Sequence, residues 1–307
     1  MGSHDGFSLL ERYLTSISFR IGVSICVAAG NESQAGHHTQ GLITQEGEIQ
    51  NIEIKVDDDS NDIYINMRND ASDRMSISVI SPTGERVGRV PAKSGISIQA
   101  NLTLERARVI IEYYLPVLGS GVQLTTIKII NATSGIWTIE VHGDIIIDGI
   151  YHAWLPITGF ISPNISFLSP TPDYTMIVPS TGIGLISCGA YNSMNNSLYV
   201  NSSWGPSALP MLTLDLVAPG VNIQGIYPGG YGTMTGTSVS TAITAGAAAL
   251  MMQWGILDEK DKTLNTYRIR AYLIRGCERD YNIKYPSIQW GYGRLNLLNT
   301  FIMLRDT

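Results

Sequence analysis

Charge is scarce in this chain. Only 15% of its 307 residues are Asp, Glu, Lys or Arg, and those present leave a net charge of −6. A protein built to grip a phosphate backbone shows clustered Lys and Arg, so nucleic acid is excluded as an expected partner. The three cysteines, Cys26, Cys188 and Cys277, are odd in number and widely spaced, which excludes a disulfide framework. Cys26 and Cys188 fall in apolar runs expected to be buried strands, where a thiol acts as a small hydrophobe. No apolar run reaches membrane-spanning length without polar interruption, and no signal peptide is recognisable. Metal-ligand patterns are missing too. His37-His38 has no cysteine or carboxylate at ligand spacing. Asp57-Asp58-Asp59, with Asp62 nearby, lacks the spaced ligands and glycine of a calcium loop and reads as a solvated strand connection. No cofactor is therefore expected. Histidine supplies the most telling scarcity: the chain has five, and His4 is the only one among the first thirty residues.

What is present is enough chain to bury a sizeable core in two domains. Its most informative stretch is Gly236-Thr237-Ser238-Val239-Ser240-Thr241-Ala242, running into Ala245-Gly246-Ala247-Ala248-Ala249-Leu250-Met251-Met252. The pattern predicts a glycine turn that delivers Ser238 to the first turn of a buried helix. A hydroxyl there sits beside unpaired backbone N–H groups and the positive end of a helix dipole, as acyl-transfer chemistry requires. Taken alone, Gly-Thr-Ser reads first as an ordinary helix cap. A second element is Val23-Ser24-Ile25-Cys26-Val27-Ala28-Ala29-Gly30-Asn31-Glu32, a short Val/Ile-rich run suited to a covered parallel strand. Asn31, just past its end, is a turn residue or a side-chain amide aimed at a developing oxyanion.

Taken in chain order, five segments resemble the subtilisin-like serine proteases. Ala28-Ala29-Gly30-Asn31 resembles that family's oxyanion segment. Ile186-Ser187-Cys188-Gly189-Ala190-Tyr191, with Asn201-Ser202-Ser203-Trp204-Gly205-Pro206, resembles its central stretch. Leu216-Val217-Ala218-Pro219-Gly220-Val221-Asn222-Ile223, then Gly236-Thr237-Ser238, and finally Gly291-Tyr292-Gly293-Arg294-Leu295-Asn296 complete the series. The resemblance implies that Ser238 is the nucleophile and that Asn31, with the backbone N–H of Ser238, receives the oxyanion. Gly236 and Thr237 would shape the nucleophile turn. Ala29, Gly30 and Glu32 would line one wall of the pocket for the residue before the cleaved bond. There Glu32 would favour a basic residue by charge pairing or stand as an exposed carboxylate. Two positions depart from the family pattern without removing chemistry. Val239 replaces the usual methionine, removing an oxidisable side chain beside the nucleophile. Ala242 replaces the usual proline, restoring a backbone N–H.

The larger departure concerns the aspartate and histidine that precede the oxyanion asparagine in the family. Only thirty residues come before Asn31, and Gly2-Ser3-His4-Asp5-Gly6 is not the family's His-Gly-Thr motif. Phe7-Ser8-Leu9-Leu10-Glu11-Arg12-Tyr13-Leu14 instead reads as an amphipathic helix with Phe7, Leu10 and Leu14 on one face. His37-His38, His142 and His152 fall at the wrong places to substitute. The chain thus reads as beginning after the triad aspartate, the triad histidine and the substrate-binding edge strand. A vector-derived leader over Met1 to His4 is an alternative reading of the start, and leaves the truncation unchanged.

Between about Gly41 and Pro163 the texture changes to short alternating strands with turn signals. They run through Ile52–Val56, Ile63–Met67, Met75–Ile80, Arg86–Val90, Arg108–Tyr114, Leu124–Ile130 and Gly135–Gly143. Such spacing predicts an antiparallel sandwich, and an inserted jelly roll is the expected architecture. The combination is similar to the Csp-type subtilases of spore-forming clostridia, in which a jelly roll interrupts the protease domain. Some members process a cell-wall hydrolase zymogen, and some are pseudoproteases.

The expected fold is therefore α/β: a subtilisin-like three-layer fold with a parallel sheet, its N-terminal part missing, interrupted by an all-β jelly roll. The expected domains are 1–40 and 164–307 for the protease core and 41–163 for the insert. Helices are predicted over 237–254, 266–275 and 294–304, the first buried all round. The expected function is a serine endopeptidase acting on protein or peptide substrates, silent here without its N-terminal segment. The alternative is a pseudoprotease scaffold that binds a protein partner. No nucleic acid or membrane partner is expected. Self-association through exposed apolar sheet surface is, and a spore or cell-envelope setting is implied by the resemblance alone.

Overall fold

A computed structural model describes residues 4–57, 61–117, 119–207 and 214–305. Asp58 and Asp59 of the acidic run, and Gly2 and Ser3 at the start, lie outside the described residues. The chain divides into two compact units: one spans Ala35–Thr171, and the other joins the segments before and after it.

Within Ala35–Thr171, every strand pairing is antiparallel. One sheet carries, in spatial order, Ile165–Phe167, Ile49–Val56, Gly135–Ile145, Arg74–Ile80 and Arg86–Val90. The other carries His38–Leu42, Ile150–Trp154, Asn61–Asn69, Gln123–Ala132, Ala107–Tyr114 and Ser97–Leu102. Alternation explains both sheets. Along Gln123–Ala132 and Ala107–Tyr114 every second side chain is buried. These interior residues, Val109, Ile111, Ile127 and Ile129, share one core with Ile54, Ile77, Trp137 and Ile139 of the other sheet. Arg74–Ile80 is buried on both faces because its outward serines are covered. Arg89 Nε donates to Ser76 Oγ at 2.8 Å, and Ser78 Oγ bonds His142 Nε2 at 2.8 Å.

Four strands here carry no strong sequence signal: His38–Leu42, Ser97–Leu102, Ile150–Trp154 and Ile165–Phe167. Two of them move the expected domain limits, because His38–Leu42 and Ile165–Phe167 pair into the two sheets. The unit therefore runs from 35 to 171 instead of 41 to 163. Asp57 of the acidic run pairs with Lys55 at 3.0 Å, and Asp62 accepts the Asn131 N–H at 3.1 Å.

The second unit holds a parallel sheet in which Ile186–Asn192 lies between Cys26–Ala28 and Leu216–Pro219. The closing segment extends it: Val217 N–H donates to Gly293 O at 3.0 Å, and Leu295 N–H to Val217 O at 2.8 Å. Gly291 and Gly293 are needed there, since a Cβ would stand 2.5 Å from the Asp215 carbonyl and 2.4 Å from the Glu278 carbonyl. The helices are α1 (Leu9–Ser18), α2 (Thr237–Met252), α3 (Thr266–Gly276) and α4 (Leu297–Arg305). Ile186, Cys188, Leu216 and Ala218 of the sheet pack with Ala248, Met251, Ile269 and Leu273 of α2 and α3. Burial pushes the Cys26 thiol up to about 11, the Cys277 thiol up to about 12, and Cys188 well above its ordinary value. All three stay protonated at neutral pH.

Two helix faces differ from expectation. On α1, Leu10 is exposed, as are Leu9 and Tyr13, while Glu11 and Ser18 are buried. Glu11 is drawn inward by a reciprocal cap with Ser8 and by a hydrogen bond from Thr181 Oγ1. The second is α2, which is not buried all round. Thr237, Ser240, Thr244, Ala247, Ala248 and Met251 face the sheet, whereas Ala242, Ala245, Gly246, Ala249 and Leu250 are exposed. The sheet covers one side only. The stretch Thr237–Leu257 also has the length and hydropathy of a candidate membrane span, contrary to the sequence reading. Its buried hydroxyls and its packing on the sheet are those of a core helix in an α/β unit.

Candidate active site

The site is assembled from two chain segments that leave the same parallel sheet. Strand Leu216–Pro219 ends at Gly220, whose N–H donates to Tyr191 O at 2.9 Å and whose carbonyl accepts the Gly236 N–H at 2.8 Å. A Cβ on Gly220 would come within 2.7 Å of Ala190 Cβ, so only glycine seats the nucleophile turn this close to the sheet. Gly236, at φ 146°, caps α2 in backbone space that other residues avoid. Together they bring Ser238 to the first turn of α2, with its side chain exposed.

Strand Cys26–Ala28 ends differently. The Ala29 N–H donates to Cys188 O at 2.9 Å, and its carbonyl accepts the Ile177 N–H at 2.9 Å. Gly30 turns at φ 111°, where a Cβ would lie 2.8 Å from Ser203 Oγ. Ser203 grips both sides of Asn31: its N–H donates to Gly30 O at 2.9 Å, and its Oγ accepts the Glu32 N–H at 3.0 Å.

Thr237 joins the two segments. The carboxamide oxygen of Asn31 accepts from the Thr237 N–H at 3.0 Å and from Thr237 Oγ1 at 3.2 Å. The same hydroxyl accepts the Gly30 N–H at 3.2 Å. Holding the oxygen end of Asn31 directs its Nδ2 away from Thr237, and no partner occupies Nδ2 among the described residues. The backbone N–H of Ser238 is likewise unpartnered there, an orphan donor of the helix start. Two unpartnered N–H donors and an exposed hydroxyl are thus gathered from two segments through Thr237. That is the donor set an acyl-transfer oxyanion needs.

Ser238 and Asn31 are accordingly brought together, with Gly236 and Thr237 between them. Ala29 is fully buried against Met176 and Leu214. Glu32 is 7% exposed, which corrects the expectation of an exposed carboxylate, since the Ser203 clamp turns this segment inward. The joining role of Thr237 and the clamping role of Ser203 are not evident from sequence. Both lie within segments of the resemblance, Thr237 in the nucleophile turn and Ser203 in the stretch 201–206, but nothing there marks the bonds they make.

No base reaches Ser238 among the described residues, where its Oγ has no hydrogen-bond partner. His4 is buried, with Nδ1 2.9 Å from Met176 O. The other histidines belong to the Ala35–Thr171 unit, where His38 Nε2 lies 3.1 Å from His152 Nδ1 and Thr171 Oγ1 lies 2.8 Å from His38 Nδ1. Burial takes the His152 imidazole down to about 4 and lowers His142 as well. A serine hydroxyl without a partner to take its proton is a weak nucleophile.

An exposed serine at a helix start, two unpartnered N–H donors and a parallel sheet make this an α/β scaffold with a candidate serine-hydrolase site. Residues 164–293 match the model of the Subtilase family. Subtilisin BL of Lederbergia lenta is 32% identical over 146 residues, 39% of this chain and 50% of that protein. Subtilisin amylosacchariticus of Bacillus subtilis subsp. amylosacchariticus is 42% identical over 85 residues, 27% of this chain and 19% of that protein. Among solved structures, the Clostridium perfringens CspB protease superposes with a TM-score of 0.91 at 32% identity. The match covers 99% of this chain and 64% of that one. The chain thus spans half or less of these curated relatives and under two thirds of the CspB chain.

Proposed function

We propose that this chain is the nucleophile-bearing portion of a subtilisin-like serine endopeptidase. Ser238 Oγ attacks the scissile carbonyl, and the oxyanion is received by Asn31 Nδ2 and the Ser238 N–H. The observation that carries the reading is the Thr237 latch, which leaves two N–H donors unpartnered beside an exposed serine hydroxyl. In this reading the acyl-enzyme forms as the Ser238 proton passes to a histidine and then to the leaving amine; water reverses the sequence. That histidine, and the aspartate that orients it, come from polypeptide outside these 307 residues. The same polypeptide covers the exposed Ala242–Leu250 side of α2 and the open edge of strand Cys26–Ala28. Backbone at Ala29 and Gly30, with Glu32 behind it, forms one wall for the residue preceding the cleaved bond. We read the Ala35–Thr171 sandwich as a jelly roll.

The test compares the full-length gene product with this chain on a peptide substrate. Hydrolysis by the full-length protein is expected, with loss in Ser238→Ala and none by the chain alone. A full-length product without the aspartate and His-Gly-Thr motifs, inert towards peptides but retaining a protein partner, would make it a pseudoprotease scaffold instead.

A further inference from the structure

The sandwich unit carries a pocket that the hydrolytic chemistry does not use. It is an open depression of about 300 Å³ at one end of the six-stranded sheet, lined by Asn101 and Leu102, Arg106, Ala107 and Arg108, and Ile130 and Asn131. Strand register explains the convergence: Asn101 pairs with Arg108, and Arg108 with Ile130, so three adjacent strands place these residues in one row. Arg106 sits in the turn between two of those strands.

Two exposed guanidiniums line the pocket. Neither Arg106 nor Arg108 has an ion-pair or hydrogen-bond partner among the described residues, although the chain is acidic overall. Three carboxylates, Glu85, Glu105 and Asp62, are engaged by neutral donors. Glu85 accepts the N–H groups of Thr103 and Leu104 at 2.7 and 2.9 Å, and that of Glu105 at 3.4 Å. Glu105 accepts from the N–H and Oγ1 of Thr83 at 3.0 and 2.7 Å, and from Thr133 Oγ1. Asp62 accepts the Asn131 N–H at 3.1 Å. These bonds fix the turn in advance of any ligand. They also hold two pocket residues, Arg106 at φ 54° and Asn131 at φ 58°, in left-handed backbone.

We propose that this pocket is an oxyanion subsite that takes the side-chain carboxylate of an acidic peptide segment. Forked guanidinium donors match a carboxylate in two-point geometry, and Asn101 and Asn131 add neutral donors. Ile130, paired beside Arg108 on the outward face, offers apolar contact to the methylenes that carry the carboxylate, while Leu102 and Ala107 face the core and form the floor. The pocket lining has no aromatic face for a sugar ring to lie on, which favours a peptide over an acidic glycan. The subsite is independent of Ser238, so its failure and the failure of the protease reading are separable.

The experiment is anisotropy of a fluorescein-labelled tetra-glutamate peptide titrated with the 307-residue chain, with side-chain NMR of the arginine Nε–H groups. Saturable binding that weakens with added salt is expected, with shifts confined to Arg106 and Arg108. Arg106→Gln/Arg108→Gln should lower affinity at least about tenfold, as expected for losing charge-assisted hydrogen bonds. Arg106→Lys/Arg108→Lys should lower it several-fold, because lysine keeps the charge and loses the fork. Tetra-glutamine should not compete. The proposal is overturned by unshifted Arg106 and Arg108 resonances in the wild-type chain, a readout needing no variant. It is equally overturned by lysine variants that bind as tightly as wild type. Inorganic phosphate or oligogalacturonate competing at lower concentration than tetra-glutamate would assign the pocket to a different anion.

Discussion

Thr237→Val tests how the proposed oxyanion donors are held in place. Valine keeps the β-branched shape at a residue that is fully buried, so no cavity opens. What disappears is one hydroxyl that accepts the Gly30 N–H at 3.2 Å and donates to Asn31 at 3.2 Å. The Gly30 N–H is then left buried without an acceptor, at a cost of about 1–3 kcal/mol. In amide exchange that is about a 5–150-fold loss of protection at Gly30. The neighbouring Ala29 N–H, bonded to Cys188 O at 2.9 Å, serves as internal reference. Hydrogen exchange on the isolated chain should show the Gly30-to-Ala29 protection ratio collapsing in Thr237→Val and preserved in Thr237→Ser. Serine loses only a methyl group, which lowers stability without unpairing Gly30. In the full-length protein, turnover should fall about tenfold, because Asn31 keeps its bond from the residue-237 N–H but loses the second. An unchanged ratio in Thr237→Val, or an equal collapse in Thr237→Ser, would refute the latch.

Asn31→Leu in the full-length protein should cost about 10²–10³ in kcat with little change in KM, as removal of an oxyanion donor does; steady-state kinetics decide, and an unchanged kcat would remove Asn31 from the site. Asp215→Ala should destabilise the α/β unit by about 3–5 kcal/mol, because it breaks a buried ion pair with Arg270. Urea unfolding measures this, and a loss below about 1 kcal/mol would count against the pair. His152 gives a pH dependence of opposite sign to a salt-bridged histidine. Its folded-state value is depressed from 6.5 to about 4, so the stability it confers is complete above pH 6.5 and is lost as pH falls towards 4. The full loss is about 3 kcal/mol. Urea midpoints between pH 7 and 5 should fall in the wild type and flatten in His152→Asn, and parallel slopes would contradict the assignment.

The sequence was legible where physical constraints act locally. Alternation exposed the central sandwich strands such as Gln123–Ala132, and small residues at forced approaches exposed Gly220, Gly236, Gly291 and Gly293. The places of Ser238, in the first turn of α2, and of Asn31, just past a strand, were legible because those elements have a recognisable start or stop. Less legible were elements whose conformation comes from partners distant in sequence. His38–Leu42 is a strand because Ile150–Trp154 lies beside it, and nothing in His-Thr-Gln-Gly-Leu alternates. The helix α1 shows the limit of amphipathic reasoning: a buried Glu11, satisfied by Ser8 and Thr181, overrides the leucine face. The unshared face of α2 could not be read either, since hydropathy records what a helix can bury and not what covers it. Thr237 and Ser203 act through tertiary hydrogen bonds, which leave no periodic trace.

The central claim is that Ser238 is a nucleophile whose base lies on polypeptide outside these residues. Fluorophosphonate labelling, read by intact mass and by mapping the modified peptide, tests it directly. The account predicts no adduct on the 307-residue chain, an adduct at Ser238 in the full-length gene product, and its loss in Ser238→Ala. Stoichiometric labelling of Ser238 in the 307-residue chain alone would contradict the account.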